Sequence, residues 1–138
     1  MITISVSAQI TNKVRQDYRN NPVWIKMIDD TSTNYFEAVK AFEEYWKNRE
    51  KPIEETDVLD IKVSKKEERI RERHEKKLSN MTPSQRNEYD QMQYQYKRFV
   101  NWMYEVKPFV QQDGRILNDE EKAAIWRQQS QQKNNSKR

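Results

Sequence analysis

His74 is the only imidazole in 138 residues, and the chain has no cysteine. A side-chain metal site needs three or four His, Cys, Asp or Glu converging on one point. His74 instead sits inside "KKEERIRERHEKKL" (65–78), where a solvated surface imidazole is expected. Carboxylates come as adjacent pairs, Glu43–Glu44 and Glu120–Glu121. Neighbours on a helix splay about 100° apart, whereas a catalytic pair converges on one cleft. A single glycine leaves no loop to cradle phosphate. The usual nucleophile, base and cradle are therefore missing, and the expectation is a protein without enzyme activity, cofactor or metal.

Two other constellations could carry chemistry. The first is aromatic: Phe42 and Trp46 in "FEAVKAFEEYWKNRE" (36–50), and Tyr96, Phe99, Trp102 and Met103 in "YKRFVNWM" (96–103). Such rings form the core of a helical bundle, a face that grips a protein partner, or a stacking platform for single-stranded nucleic acid. Helical spacing is what burial demands, so packing with some partner contact is the expected role. The second is basic: Lys65, Lys66, Arg69, Arg71, Arg73, Lys76 and Lys77. Residues 62–78 hold eight Lys or Arg against four Glu. They could contact the phosphates of nucleic acid or lipid headgroups. The four Glu are interleaved with them in sequence and would repel such a partner. The plainer reading is a solvated helix held by i,i+4 pairs such as Glu67–Arg71 and Glu72–Lys76.

The elements that position these residues are mostly helical. Charged residues make up 35% of the chain, which leans toward disorder, but 11% are aromatic and supply large buried areas. The net charge of +4 includes Lys133, Lys137 and Arg138 at the extreme C-terminus, so the body is nearly balanced. No stretch approaches the roughly 18 apolar residues of a membrane span.

From the N-terminus, "MITISVSA" (1–8) reads as a signal-peptide remnant, with small residues where an export peptidase cuts. Its alternation of apolar and polar residues is also that of a strand, and a disordered end is the third reading. Ile10, Val14 and Tyr18 are spaced for a short helix. Pro22 opens another after Asn21, with Val23, Trp24, Met27 and Ile28 on its face. Tyr35, Val39, Phe42 and Trp46 stripe a third helix, roughly 33–49. An acidic connector spans 49–60. Ser64 and Glu67 form a capping box ahead of a helix to about Leu78, and Thr82 with Gln85 forms a second, with Pro83 at the first helical position. Tyr89, Met92, Tyr96, Phe99, Met103 and Val106 step by three and four, an a/d seam that Pro108 ends. Asp113 and Gly114 mark a turn. Asn118 and Glu121 cap a last helix packed by Ala123, Ala124 and Trp126. Residues 128–138 carry no apolar group, which predicts a disordered tail. The expected fold is all-α: a bundle of four to five helices over residues 9–127, with the helices at 33–49 and 83–106 packed together.

The segments 34–50 and 96–116 resemble a paired motif of exported Bacteroidetes proteins associated with type IX secretion. That motif reads F-x5-A-F-x2-Y-W, then F-K-R-W-x3-M, then D-G-R. Ala41, Phe42, Tyr45 and Trp46 match the first part, and Phe36 stands one residue nearer to Ala41 than the motif places its Phe. Lys97, Arg98, Phe99, Met103, Asp113, Gly114 and Arg115 match the rest, with Phe99 where Trp is common. The family spacer is short, whereas residues 51–95 intervene here. The resemblance implies export to the periplasm, outer membrane or exterior, and a non-catalytic role with a protein partner in an envelope assembly. The alternative reading is a cytoplasmic nucleic-acid-binding helical protein that uses the basic helix.

Overall fold

The computed structural model describes residues 13–52 and 64–137. The N-terminal segment 1–8 and most of the acidic connector lie outside them. The protein is all-α, with six α-helices among the described residues: α1 (13–20), α2 (Trp24–Met27), α3 (Tyr35–Trp46), α4 (Lys65–Ser79), α5 (Pro83–Val106) and α6 (Asp119–Ser136). A 3-10 turn, Lys107–Phe109, follows α5, where Pro108 cannot continue the helix. The only β pairing among the described residues is an isolated bridge between Val110 and Ile116.

Three helix starts follow the local chemistry of the chain. Ser64 accepts from the Glu67 amide while Glu67 accepts from the Ser64 amide. Thr82 and Gln85 do the same at α5. Asn118 and Glu121 do so at α6. Each box satisfies two donors that the first helical turn leaves without a partner. The start of α2 differs from expectation: its cap position is Val23, with no side-chain cap, so Asn21 and Pro22 precede the helix instead of opening it.

The chain divides into two compact units. One combines residues 1–49 with 101–138, and the other is residues 50–100. The core of the first is an aromatic cluster around Trp24, which is fully buried. Its ring meets Phe42 edge-on at 5.1 Å and lies 6.0 Å from Tyr45 and 6.2 Å from Trp46. Ala38 and Ala41 are also fully buried, and their small side chains complete the inward face of α3. Sequence spacing puts Val39 on that face and leaves the hub role of Trp24 unseen; the observed stripe is 38, 41, 42 and 46. Arg49 ties the ends of α1 and α3 together. It donates to the Arg19 carbonyl and the Tyr45 carbonyl, and its guanidinium lies 4.0 Å above the Tyr45 ring.

In the second unit α4 and residues 83–100 of α5 meet through His74 and Tyr89, whose rings are 5.6 Å apart. Among the described residues of this unit Phe99 is fully buried, and Met92 and Tyr96 of the seam are half-buried.

The C-terminal residues extend α6 into solvent. Residues 128–136 continue α6 as helix, although almost all of them are exposed. Gln and Lys, five of these nine residues, are good helix formers, and elongation from a capped nucleus adds one hydrogen bond per residue fixed. Ala124 and Trp126, expected to pack, are exposed.

Candidate functional site

Asp113, Gly114 and Arg115 form a turn that serves two helix starts at once. Gly114 has φ +86°, a left-handed conformation that favours glycine. Its carbonyl accepts from the Tyr35 amide at 2.8 Å. Asn34, the cap of α3, accepts from the Phe36 and Glu37 amides and donates through Nδ2 to the Asp113 carbonyl at 2.7 Å. On the other side, Arg115 grips Glu121 with two parallel bonds of 2.8 and 3.0 Å. Glu121 is also the reciprocal partner in the α6 cap. The D-G-R residues therefore connect the beginnings of α3 and α6. Sequence reading finds this turn but not Asn34, whose partner is 79 positions away.

The aromatic residues divide by burial. Phe42, Trp46 and Phe99 are buried, so they pack. Tyr96, Trp102 and Met103 are half-buried. Other rings stand in water: Phe36 is 52% exposed, Tyr104 74% and Trp126 68%. Phe36 is not isolated. Its ring lies 6.0 Å from Tyr35, which lies 5.8 Å from Trp102, giving a continuous aromatic run with an exposed end.

The basic residues also divide. Arg71 is half-buried on the inward side of α4 with His74 and Leu78. Lys77 pairs with Glu50 at 2.9 Å. Among the described residues, Lys65, Lys66, Arg69, Arg73 and Lys76 are exposed and make no ion pair. The anticipated Glu67–Arg71 and Glu72–Lys76 bridges do not close among the described residues; Glu67 turns back to cap Ser64 instead. His74 is not a solvated imidazole either. It is half-buried, with Nε2 3.0 Å from the Tyr89 hydroxyl. Among the described residues no group of three or more His, Asp or Glu could hold a metal ion, and no helix is long and apolar enough to cross a membrane.

Five carboxyls are held below their ordinary range. Arg19 does this to Glu44 by a side-chain hydrogen bond, and Lys77 does it to Glu50. The Ser64 amide does it to Glu67, Arg115 and then the Asn118 amide to Glu121, and Ser32 to Asp30. Each lowered carboxyl binds a proton less readily when folded than when unfolded. Its contribution is complete above the ordinary value of 4.5 for Glu or 3.8 for Asp, and is lost as pH falls through the lower folded value. Tyr18 runs the other way. Burial, and then Glu37, raise it above 10.0, so its contribution fades as pH rises past that value. The expected result is a flat melting temperature from about pH 6 to 8 that declines below about pH 4.5. Thermal scans followed by circular dichroism check it; a midpoint that rises in acid contradicts the pairings.

No protein-family model matches the chain, no curated protein matches it, and no solved structure matches its fold.

Proposed function

We propose that this chain is an exported, non-catalytic interaction protein of an envelope assembly, and that a protein partner docks on aromatic side chains which the fold leaves in water. The observation that carries the docking role is the division of rings within one unit. Trp24, Phe42 and Trp46 are sequestered, while Phe36, Tyr104 and Trp126 are majority-exposed. An exposed ring forgoes roughly 1.5–3 kcal/mol of burial that a partner would restore. Aromatic residues are also the favoured anchors of protein interfaces, because they bury a large area with few rotatable bonds. The run Phe36–Tyr35–Trp102 adds rigidity, since two of its rings, Tyr35 and Trp102, are half-buried. Export rests on the resemblance of segments 34–50 and 96–116 to the paired motif, whose D-G-R element Asp113, Gly114 and Arg115 match in sequence.

The test places a photo-crosslinking residue at Phe36 or Trp126, and at Lys47 or Glu120 as exposed controls, in the cells that make the protein. A single adduct of defined mass is expected from the ring positions and not from the controls. Equal yield at all four positions, or none, overturns the docking role. Fractionation of the same cells is expected to recover the chain outside the cytoplasm. Complete recovery with a cytoplasmic marker overturns export.

A further inference from the structure

The Glu residues of α4 alternate with its cations along the chain, yet the helix sorts them. At 100° per residue, Lys65, Lys76, Arg69, Arg73 and Lys66 occupy one arc of about 100°. No carboxylate falls within it. Glu72, Glu68 and Glu75 occupy a separate, narrower arc, centred about 100° round the helix from the middle of the cations. His74, Leu78 and Arg71, which are half-buried, lie nearly opposite the cations. The inward side of α4 is thus engaged with α5, as the His74–Tyr89 contact shows. The cationic side is left facing solvent.

Five exposed cations without ion pairs among the described residues form this stripe, about 16 Å long from Lys65 to Lys76. Like charges packed this closely repel one another, and the helix places no counter-charge among them. The electrostatic complement is a polyanion.

The geometry points to which polyanion: we propose that the α4 stripe lies against the surface of an anionic lipid bilayer. A flat surface touches the middle of the stripe and leaves Glu68 and Glu75 at the flank, directed sideways and slightly away, with Glu72 at the near edge of that flank, about 70° from the middle of the stripe. A nucleic-acid groove would not. A major groove about 12 Å wide encloses a helix about 10–12 Å across, and one of its phosphate walls would meet the three carboxylates. The stripe contains no aromatic residue on which bases of a single strand could stack. Contact with lipid is peripheral, because Ile70 is the one exposed large apolar side chain of α4 and the inward side is occupied. Attraction is additive over cations within a Debye length of the surface and is screened by salt.

The test uses the full chain and sedimentation with vesicles. One set is phosphatidylcholine alone and the other contains roughly one-third phosphatidylglycerol. Binding to the anionic set only is expected, strong at about 50 mM salt and nearly abolished at about 500 mM. Lys65→Gln, Arg69→Gln, Arg73→Gln and Lys76→Gln together should lower partitioning several-hundred-fold, at roughly five-fold per cation. Gln retains helix propensity, and circular dichroism confirms the fold. A charge-matched control, Lys47→Gln, Arg86→Gln, Arg127→Gln and Lys133→Gln together, should stay within about ten-fold of the parent. Glu68→Gln, Glu72→Gln and Glu75→Gln together should raise partitioning by less than about ten-fold, since those groups lie at the flank and Glu72 alone leans toward the lipid. Equal losses in the two quadruple variants would show diffuse net charge in place of a face and overturn the proposal. Tighter binding to a mixed-sequence DNA duplex than to anionic vesicles would overturn it in favour of nucleic acid. Binding to neither would also overturn it.

Discussion

Trp24→Ala is expected to destabilise the unit formed by residues 1–49 and 101–138 by about 3–5 kcal/mol, the usual cost of removing a large buried aromatic. Trp24 has no exposed surface, and the rings of Phe42, Tyr45 and Trp46 all lie within 6.2 Å of it. The edge-on pair with Phe42 adds geometry-specific attraction beyond the area buried. α2 is a single turn without a side-chain cap, so it has little stability of its own. Trp24 is its one buried side chain. A domain of this size has roughly 5–15 kcal/mol in total, so the variant should be partly or wholly unfolded at ambient temperature. Urea titration followed by near-ultraviolet circular dichroism checks this. Trp24→Phe, which keeps a ring in the cluster, should lose clearly less. A loss of under about 1 kcal/mol for the alanine variant would show that the cluster is not the core.

Gly114→Ala is expected to cost about 2–3 kcal/mol, from two sources that add. A non-glycine residue at φ +86° is strained by about 1–2 kcal/mol. The new Cβ would also collide with the side-chain amide of Asn34. That amide cannot step aside without releasing the Phe36 and Glu37 amides and the Asp113 carbonyl, and losing a cap costs about 1 kcal/mol. The second source is separable. Asn34→Gly alone should cost about 1 kcal/mol through the lost cap and the lost bond to Asp113. In the double variant the collision is gone, so the combined loss should be smaller than the sum. Denaturant midpoints of the parent, two singles and the double complete the cycle. Strict additivity would mean that only backbone strain matters at Gly114.

These two sites differ in how visible they are in the sequence. The capping boxes at Ser64, Thr82 and Asn118 are legible because donor and acceptor are three residues apart, and local chemistry decides them. The a/d spacing from Tyr89 to Val106 is legible as helix for the same reason. Which rings are buried is not legible. Phe36 and Phe42 are both phenylalanines of α3, and only the position of Trp24 in space makes one core and the other surface. Asn34 gives no signal, because its partner comes 79 residues later. The sorting of charge on α4 is legible only on stepping round the helix at 100° per residue, because linear order interleaves the two signs. At the C-terminus the two signals are separate: Gln and Lys favour continuing α6, while residues 128–136 offer no apolar side chain to hold it in a core.

The bond from Asn34 to the Asp113 backbone also has a temporal consequence. Chains are made from the N-terminus at about 5–20 residues per second, so the nascent α3 waits about 4–16 s before its distant partner is polymerised. Throughout that interval Trp24 can already shelter against Phe42 and Trp46, all of which precede residue 50, while the Tyr35 amide must be served by water. Ribosome-stalled intermediates ending before and after Asp113 should therefore differ in protease resistance near Tyr35 and agree near Trp24.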